Sequence, residues 1–434
     1  MPIDWRSRAG AGVEWLLDER HARQVAWIVF ALALVVRLTA LAVFPNTPLS
    51  VNARNSIIAG ASLIHQGQFL ANPDYPMLIP PLPALFMAGI QSIFGDGLMA
   101  VKIIQVILDA MLVAVIFAIG RAAFSYAAAV LAAFALTVYP VAITVPIYIG
   151  TEALFTLMLA LFVLHAVKAL EHQTLGWFFA AGLFLGLTTL TRGTTQFFPL
   201  FFFAFIAWRQ RRSLSVRLVG QAACFLVGMA VVVGPWTARN LIVLDAFIPA
   251  SISGQPLLHG SREDFWLIRD RDRNLSGYYE YLRTQKGITV SENPTWPEKE
   301  RFYRQATIEV YRERWQKAPL SFFPYYAKKF ARLWYGTESG RNEWLMLTLN
   351  LPLYLFGLLG LWRFRQTHTD AAALLGVLLV YFIAIHVAVF AYFRYLVPVM
   401  PYVLLLAADG AVLALERVRG RVLTPSIAQT YGSA

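Results

Sequence analysis

Apolar residues run in long blocks along almost the whole chain, and ten of these blocks can cover a hydrocarbon layer about 30 Å thick, or most of it, as helices. They fall at 25–44, 98–119, 127–147, 152–170, 175–190, 195–208, 216–233, 344–361, 371–390 and 396–415. Within a block such as 153–169 the apolar positions do not alternate with polar ones, so the pattern predicts helices rather than the two-residue period of a membrane barrel. Backbone groups in lipid must pair internally, which leads to the same element. Two polar stretches interrupt the series, 45–97 and 236–343. In the first, the apolar run 84–94 follows Pro80 and Pro81 and is too short to span, so it is expected to lie at the interface or to re-enter. In the second, 298–334 has helical spacing with mixed charges and predicts a small helical domain.

Composition turns this pattern into a class. Of 434 residues, 58% are hydrophobic and 14% charged, and the mean hydropathy is +0.56. A water-soluble domain with these values would expose too much apolar surface, so lipid is the expected solvent. The expected fold is all-α, a polytopic transmembrane bundle of about ten spans with a small extracytoplasmic domain. A net charge of +12 raises nucleic acid as a partner. The arginines are spread over interhelical loops, however, so anionic membrane lipid is expected and nucleic acid is not. Cys224 is the single cysteine, which excludes an intrachain disulfide, and it reads as a small core residue.

Charge also orients the bundle. Counted over the short loops, one side holds fifteen lysines and arginines, from Arg6 to Arg421, and the other holds Arg54, Lys102, Arg192 and Arg394. Both termini are therefore expected in the cytoplasm. The organisation follows: 1–24 a cytoplasmic leader, 25–235 a transmembrane module with an external loop at 45–97, 236–343 an extracytoplasmic domain, 344–415 C-terminal spans and 416–434 a cytoplasmic tail.

Charged groups inside spans are costly, about 2.5 to 3.5 kcal/mol on insertion scales, which draws attention to Arg37 and Asp109. A structural ion pair between them is the favoured reading. Other polar groups collect at the expected external mouth: Glu152 in Thr151-Glu152, Arg192 in Thr191-Arg192-Gly193, Arg239 in Pro235-Trp236-Thr237-Ala238-Arg239, and Arg394 in Arg394-Tyr395-Leu396. Guanidinium binds phosphate in bidentate fashion, and a carboxylate beside it can take a proton from an attacking hydroxyl. Interfacial snorkelling explains each arginine singly but the group less well. The histidines are scattered, so no metal is expected; His386, alone in an apolar run, reads as core. No phosphate-cradling glycine loop opens a helix. Aromatic stretches such as Tyr278-Tyr279-Glu280-Tyr281 could stack on sugars, with core packing the default.

In order along the chain, Arg37-Leu38, Ala59 with Leu63, Gly67 and Phe69, Pro80-Pro81-Leu82, Gly120-Arg121, Tyr139-Pro140, Thr151-Glu152, Gly182 to Gly186, Thr191-Arg192, Pro235-Trp236 with Arg239-Asn240, and Arg394 with Pro398 and Pro401 resemble the membrane glycosyltransferases of the GT-C class. The nearest likeness is glycosyltransferase family 39, the protein O-mannosyltransferases and aminoarabinose transferases. The resemblance covers about the first 260 residues and the last 45. It implies an inverting enzyme that moves a sugar from a polyprenyl or dolichyl phosphate donor to an acceptor hydroxyl of a lipid, glycan or protein, on the external face of a membrane such as the bacterial inner membrane. It also implies an acid in the first external loop and a second at the head of a later span. Glu152 matches the second. The first falls near Asn52, where an amide stands that cannot accept a proton as a carboxylate does. Glu152 in apolar surroundings is the first candidate base, and Asp74 from the same loop the second. Arg192, Arg239 and Arg394, with Lys102, are the candidate holders of the lipid phosphate. A flippase for lipid-linked sugars and a catalytically silent lipid-binding protein are the rival readings; neither paired halves nor matching helix breaks favour the flippase.

Overall fold

The computed structural model describes residues 5–69, 79–211, 216–250, 254–266, 271–292, 294–367 and 369–418. Asp74, the second candidate base, lies outside them. All regular structure among the described residues is helical. The order is α1 (Trp5–Leu17), α2 (Ala22–Val43), α3 (Val51–Gln66), α4 (Pro81–Phe94), α5 (Leu98–Ala123), α6 (Tyr126–Val138), α7 (Pro140–Thr144), α8 (Glu152–His172), α9 (Leu175–Thr191) and α10 (Phe198–Arg209). Then come α11 (Val216–Leu244), α12 (Gln255–Ser261), α13 (Glu263–Trp266), α14 (Arg271–Lys286), α15 (Trp296–Lys317), α16 (Phe322–Arg332), α17 (Glu343–Thr367), α18 (Asp370–Ala388) and α19 (Met400–Val418).

Each of the ten apolar blocks is helical, yet fewer are full spans. Among the described residues, seven are long and apolar enough to cross a membrane, and α6 with α7 makes an eighth if the pair, bent by 53°, is one span. Pro140 explains the bend: it begins α7 and holds Tyr139 extended, at φ −67° and ψ 116°. The break leaves carbonyls at the end of α6 without helical partners, and Arg37 of α2 donates to two of them, Leu136 at 3.4 Å and Thr137 at 3.3 Å. Its Nε meets Asp109 of α5, and both side chains are buried. The remaining blocks form the shorter α9 and α10, at 17 and 12 residues. The helix predicted over 216–233 continues through Pro235 to Leu244.

Glycines set the tightest helix contacts. A Cβ at Gly182 of α9 would stand 1.9 Å from the Phe225 carbonyl of α11, and one at Gly228 would meet Phe179 O at 2.2 Å. Gly360 and Gly410 do the same for α17 and α19, each 2.0 Å from a facing carbonyl. Small residues let backbones approach this closely, which matters in lipid, where apolar burial gives helices little reason to associate. Around one continuous apolar core, α8 and α19 are the most enclosed spans, while α2, α11 and α17 turn most of their surface outward.

Helices α12 to α15 build a separate core from Leu258, Phe265, Leu275, Tyr278, Leu282, Phe302, Tyr303, Ala306 and Val310. The aromatic stretch around Tyr278 therefore packs inward, as the default reading expects. Lys329 fastens this small domain to the bundle. Lys329 of the amphipathic α16 is fully buried and donates to Gly260 O of α12 at 2.7 Å and to Val389 O, just past α18, at 2.9 Å. Gly260 packs against that same Val389 carbonyl, where a Cβ would be 1.8 Å away. The small domain is thereby held against the end of the bundle where α18 stops and α19 starts.

Candidate active site

The start of α8, the end of α9 and the segment leading into α19 meet at this end of the bundle. Glu152 is the first residue of α8, where a helix dipole favours negative charge. The turn before it is fixed by Gln105 of α5, whose side-chain amide donates to Gly150 O at 3.0 Å. The Glu152 carboxylate folds back against this turn: a Cβ at Gly150 would come within 2.5 Å of Glu152 Oε2. Glu152 does not stand in the apolar surroundings expected of it. Arg394 donates to its Oε1 through Nε at 2.9 Å and lies 2.8 Å away through Nη2, and Arg192 Nη1 lies 3.9 Å from the same oxygen.

Arg394 reaches a second acid with its other terminal nitrogen, donating from Nη1 to Glu338 at 3.1 Å. Burial works against the Arg394 charge, but the two carboxylates more than offset it and hold its proton above the ordinary arginine range. Glu338 sits in a loop framed on both sides. The Phe393 N–H donates to Gly336 O at 2.8 Å, and Glu343 accepts from the Thr337 N–H at 3.0 Å and from Arg332. The sequence does not single out Glu338, which stands in Gly336-Thr337-Glu338-Ser339-Gly340 at the end of the charged segment 236–343.

Two cavities open on either side of this group. One, of about 380 Å³, is lined by Glu152, Glu338 and Arg394 with Tyr148, Tyr392 and Met346. The other, of about 350 Å³, is lined by Arg192, Asn52, His386 and Tyr395 with an apolar wall of Phe197, Leu257, Ile385, Val389 and Phe390. Arg192 lies between the rings of Phe155 and Tyr395, 5.5 and 5.6 Å from their centroids. This contact fixes the guanidinium plane through cation–π attraction. Tyr395 is stacked in turn on His386, with centroids 5.0 Å apart. Burial chiefly keeps the Tyr395 phenol above its ordinary range. The wall between the cavities is thus the short segment from Tyr392 to Tyr395 together with Thr151 and Glu152.

Of the four cations read as phosphate holders, the structure brings together Arg192 and Arg394. Arg239 of α11 lies over the rings of Trp236, at 5.0 Å, and Phe69, at 5.9 Å, and donates to Asn240 at 3.1 Å. Lys102 ties down the chain after α2, donating to Pro45 O at 2.6 Å and to Thr47 at 2.8 Å. Asn52 of α3 does join the group, as an exposed residue on the wall of the Arg192 cavity. Among the described residues, no three His, Cys, Asp or Glu side chains gather as metal ligands would.

Residues 79–237 match the family model described as dolichyl-phosphate-mannose-protein mannosyltransferase. No curated protein matches the chain. Among solved structures, the oligosaccharyltransferase of Archaeoglobus fulgidus in its apo form superposes with a TM-score of 0.57, at 14% identity over 92% of this chain and 51% of that one. The oligosaccharyltransferase AglB from the same organism, in complex with an inhibitory peptide and a dolichol-phosphate, superposes at a TM-score of 0.55, with 14% identity over 92% of this chain and 51% of that one. The chain thus spans about half the length of these archaeal enzymes. ArnT from Cupriavidus metallidurans bound to undecaprenyl phosphate scores 0.40, at 15% identity over 90% of this chain and 77% of that one, too low a similarity to add to the case. The resemblance read from the ordered motifs is met by both kinds of comparison: the chain has the GT-C fold, and its residues 79–237 match the protein mannosyltransferase model.

Proposed function

We propose that this protein is a glycosyltransferase that moves a sugar from a polyprenyl phosphate carrier to an acceptor hydroxyl, with inversion, on the non-cytoplasmic face of a membrane such as the bacterial inner membrane. The observation that carries the reading is the convergence of Arg192 and Arg394 on Glu152 at the wall between two cavities. The family model named for a lipid-phosphate sugar donor and the fold shared with an enzyme solved with dolichol-phosphate support it.

The cavity with the apolar wall suits the carrier, with the phosphate at Arg192 and the isoprenoid along Phe197, Ile385, Val389 and Phe390. Guanidiniums already oriented by Glu152 stabilise the negative charge that grows on the phosphate as the sugar departs, without reorganising at that moment. The second cavity then receives the acceptor. Its hydroxyl oxygen bonds to the anomeric carbon while the carbon–phosphate oxygen bond breaks, and the electron pair leaves with the carrier phosphate. In this arrangement Glu152 acts by holding the two arginines.

Purified protein in nanodiscs should release undecaprenyl phosphate from undecaprenyl phosphate labelled with mannose, glucose or aminoarabinose. Translocation of an intact donor across proteoliposomes without cleavage would replace the reading with a flippase. For sidedness, Ser291→Cys in a Cys224→Ala background should react with an impermeant maleimide outside intact cells; reaction only after lysis would put the small domain in the cytoplasm and sink the external site.

A further inference from the structure

We propose that Glu338 is the group that takes the proton from the acceptor hydroxyl, in the reaction assigned above and resting on that assignment. The two acids of the site differ in what their oxygens already do. Glu152 is 13% exposed, and one oxygen carries two nitrogens of Arg394 and one of Arg192. Its other oxygen packs beside Gly150. Protonating Glu152 would give up both ion pairs at once and loosen the arginines needed for the departing phosphate.

Glu338 is 35% exposed and held by Arg394 alone among the described ion pairs, through Nη1 at 3.1 Å. It faces the cavity that holds no part of the carrier in the reading above. Its loop is fixed by the Gly336 and Glu343 contacts, and Gly340 closes the turn at φ 70°, a left-handed conformation that suits glycine. A carboxylate that is fixed in place yet open on one side is what proton abstraction needs. Asn52, where the resemblance expects an acid, lines the opposite cavity and carries an amide. Glu338 therefore supplies from a different part of the chain the carboxylate that is missing there. In the step, the acceptor O–H proton passes to Glu338, the oxygen joins the anomeric carbon, and the carrier phosphate leaves with the bonding electrons. The Arg394 bridge places Glu338 and Glu152 in one unit, so the proton acceptor and the phosphate holders move together.

The test measures undecaprenyl phosphate release from the labelled donor by the full chain in nanodiscs, with water or glycerol as acceptor. Glu338→Gln should lower the rate at saturating donor about 100- to 1,000-fold, leave undecaprenyl phosphate binding within about 2-fold, and remove the acidic limb of the pH–rate profile. A Glu338→Gln protein that keeps the wild-type rate, or keeps that limb, overturns the proposal. Should Glu338→Gln not fold, Glu338→Ala with added formate decides the question: rate regained with formate supports the role, and no regain overturns it. Wild-type protein that releases no carrier phosphate defeats the parent reading instead, whatever Glu338 does.

Discussion

Two charge clusters, one buried and one half-buried, use the same side-chain types and end in opposite places. Arg37 and Asp109 pair at 0% and 3% exposure, and the guanidinium spends its remaining hydrogen bonds on helix carbonyls at the Pro140 break. The guanidinium's hydrogen bonds all go to Asp109 and helix carbonyls of the bundle, so the cluster closes on itself. Glu152, Arg192, Arg394 and Glu338 are 13% to 37% exposed, and all line cavities. The comparison teaches that burial and pairing alone do not mark a functional charge in a membrane bundle. What separates the two is whether the hydrogen-bonding capacity is used up internally or turned toward a space a ligand can fill.

The sharpest way to break the comparison is to neutralise one acid in each cluster. Glu152→Gln should cut carrier-phosphate release about 1,000-fold while the protein still inserts and melts normally, the size expected when preorganised charge stabilisation is lost; full activity would return Glu152 to a structural role. Asp109→Asn should instead leave the rate per folded molecule within about 2-fold. It should lower thermal stability in detergent, because removing one partner of a buried pair costs about 3 to 5 kcal/mol. Arg37→Met with Asp109→Leu should recover most of that loss, and a double variant no more stable than the single one would contradict the closed-pair account.

A smaller effect sharpens the distinction among the cations. Arg192→Lys should weaken undecaprenyl phosphate binding about 10- to 100-fold, since lysine cannot present the planar fork held between Phe155 and Tyr395. The smallest effect is expected at Arg239→Met and Lys102→Met, within about 3-fold for carrier binding, because neither cation reaches the Glu152 group. A larger loss at Arg239 would move the phosphate site toward Trp236 and Phe69.

Much of the fold was legible in the residues because lipid imposes a length and a polarity on every spanning helix. The blocks at 98–119 and 152–170 map onto α5 and α8 almost end to end. Two blocks depart from the expected single straight span. The stretch 195–208 became the 12-residue α10, and 127–147 broke at Tyr139-Pro140, since apolarity says how much chain wants lipid and not whether it crosses in one straight piece. At the site, Glu152, Arg192 and Arg394 could be picked out because a polar group at a span end is rare enough to notice. Glu338 could not, because in the charged segment 236–343 one more acid carries no signal.

The sequence alone determined that this chain is a helical membrane protein that resembles the GT-C class, with polar groups gathered at span ends, for hydropathy and motif order are properties of neighbours along the chain. Only the tertiary structure decided which of those groups face one another. Arg192 and Arg394 lie about 200 residues apart in the chain and meet on one carboxylate oxygen, while Arg239 and Lys102 are drawn away by rings and carbonyls close to hand. Pairing across such separations depends on how α8, α9 and α19 pack, and packing is set by surfaces that no local pattern encodes.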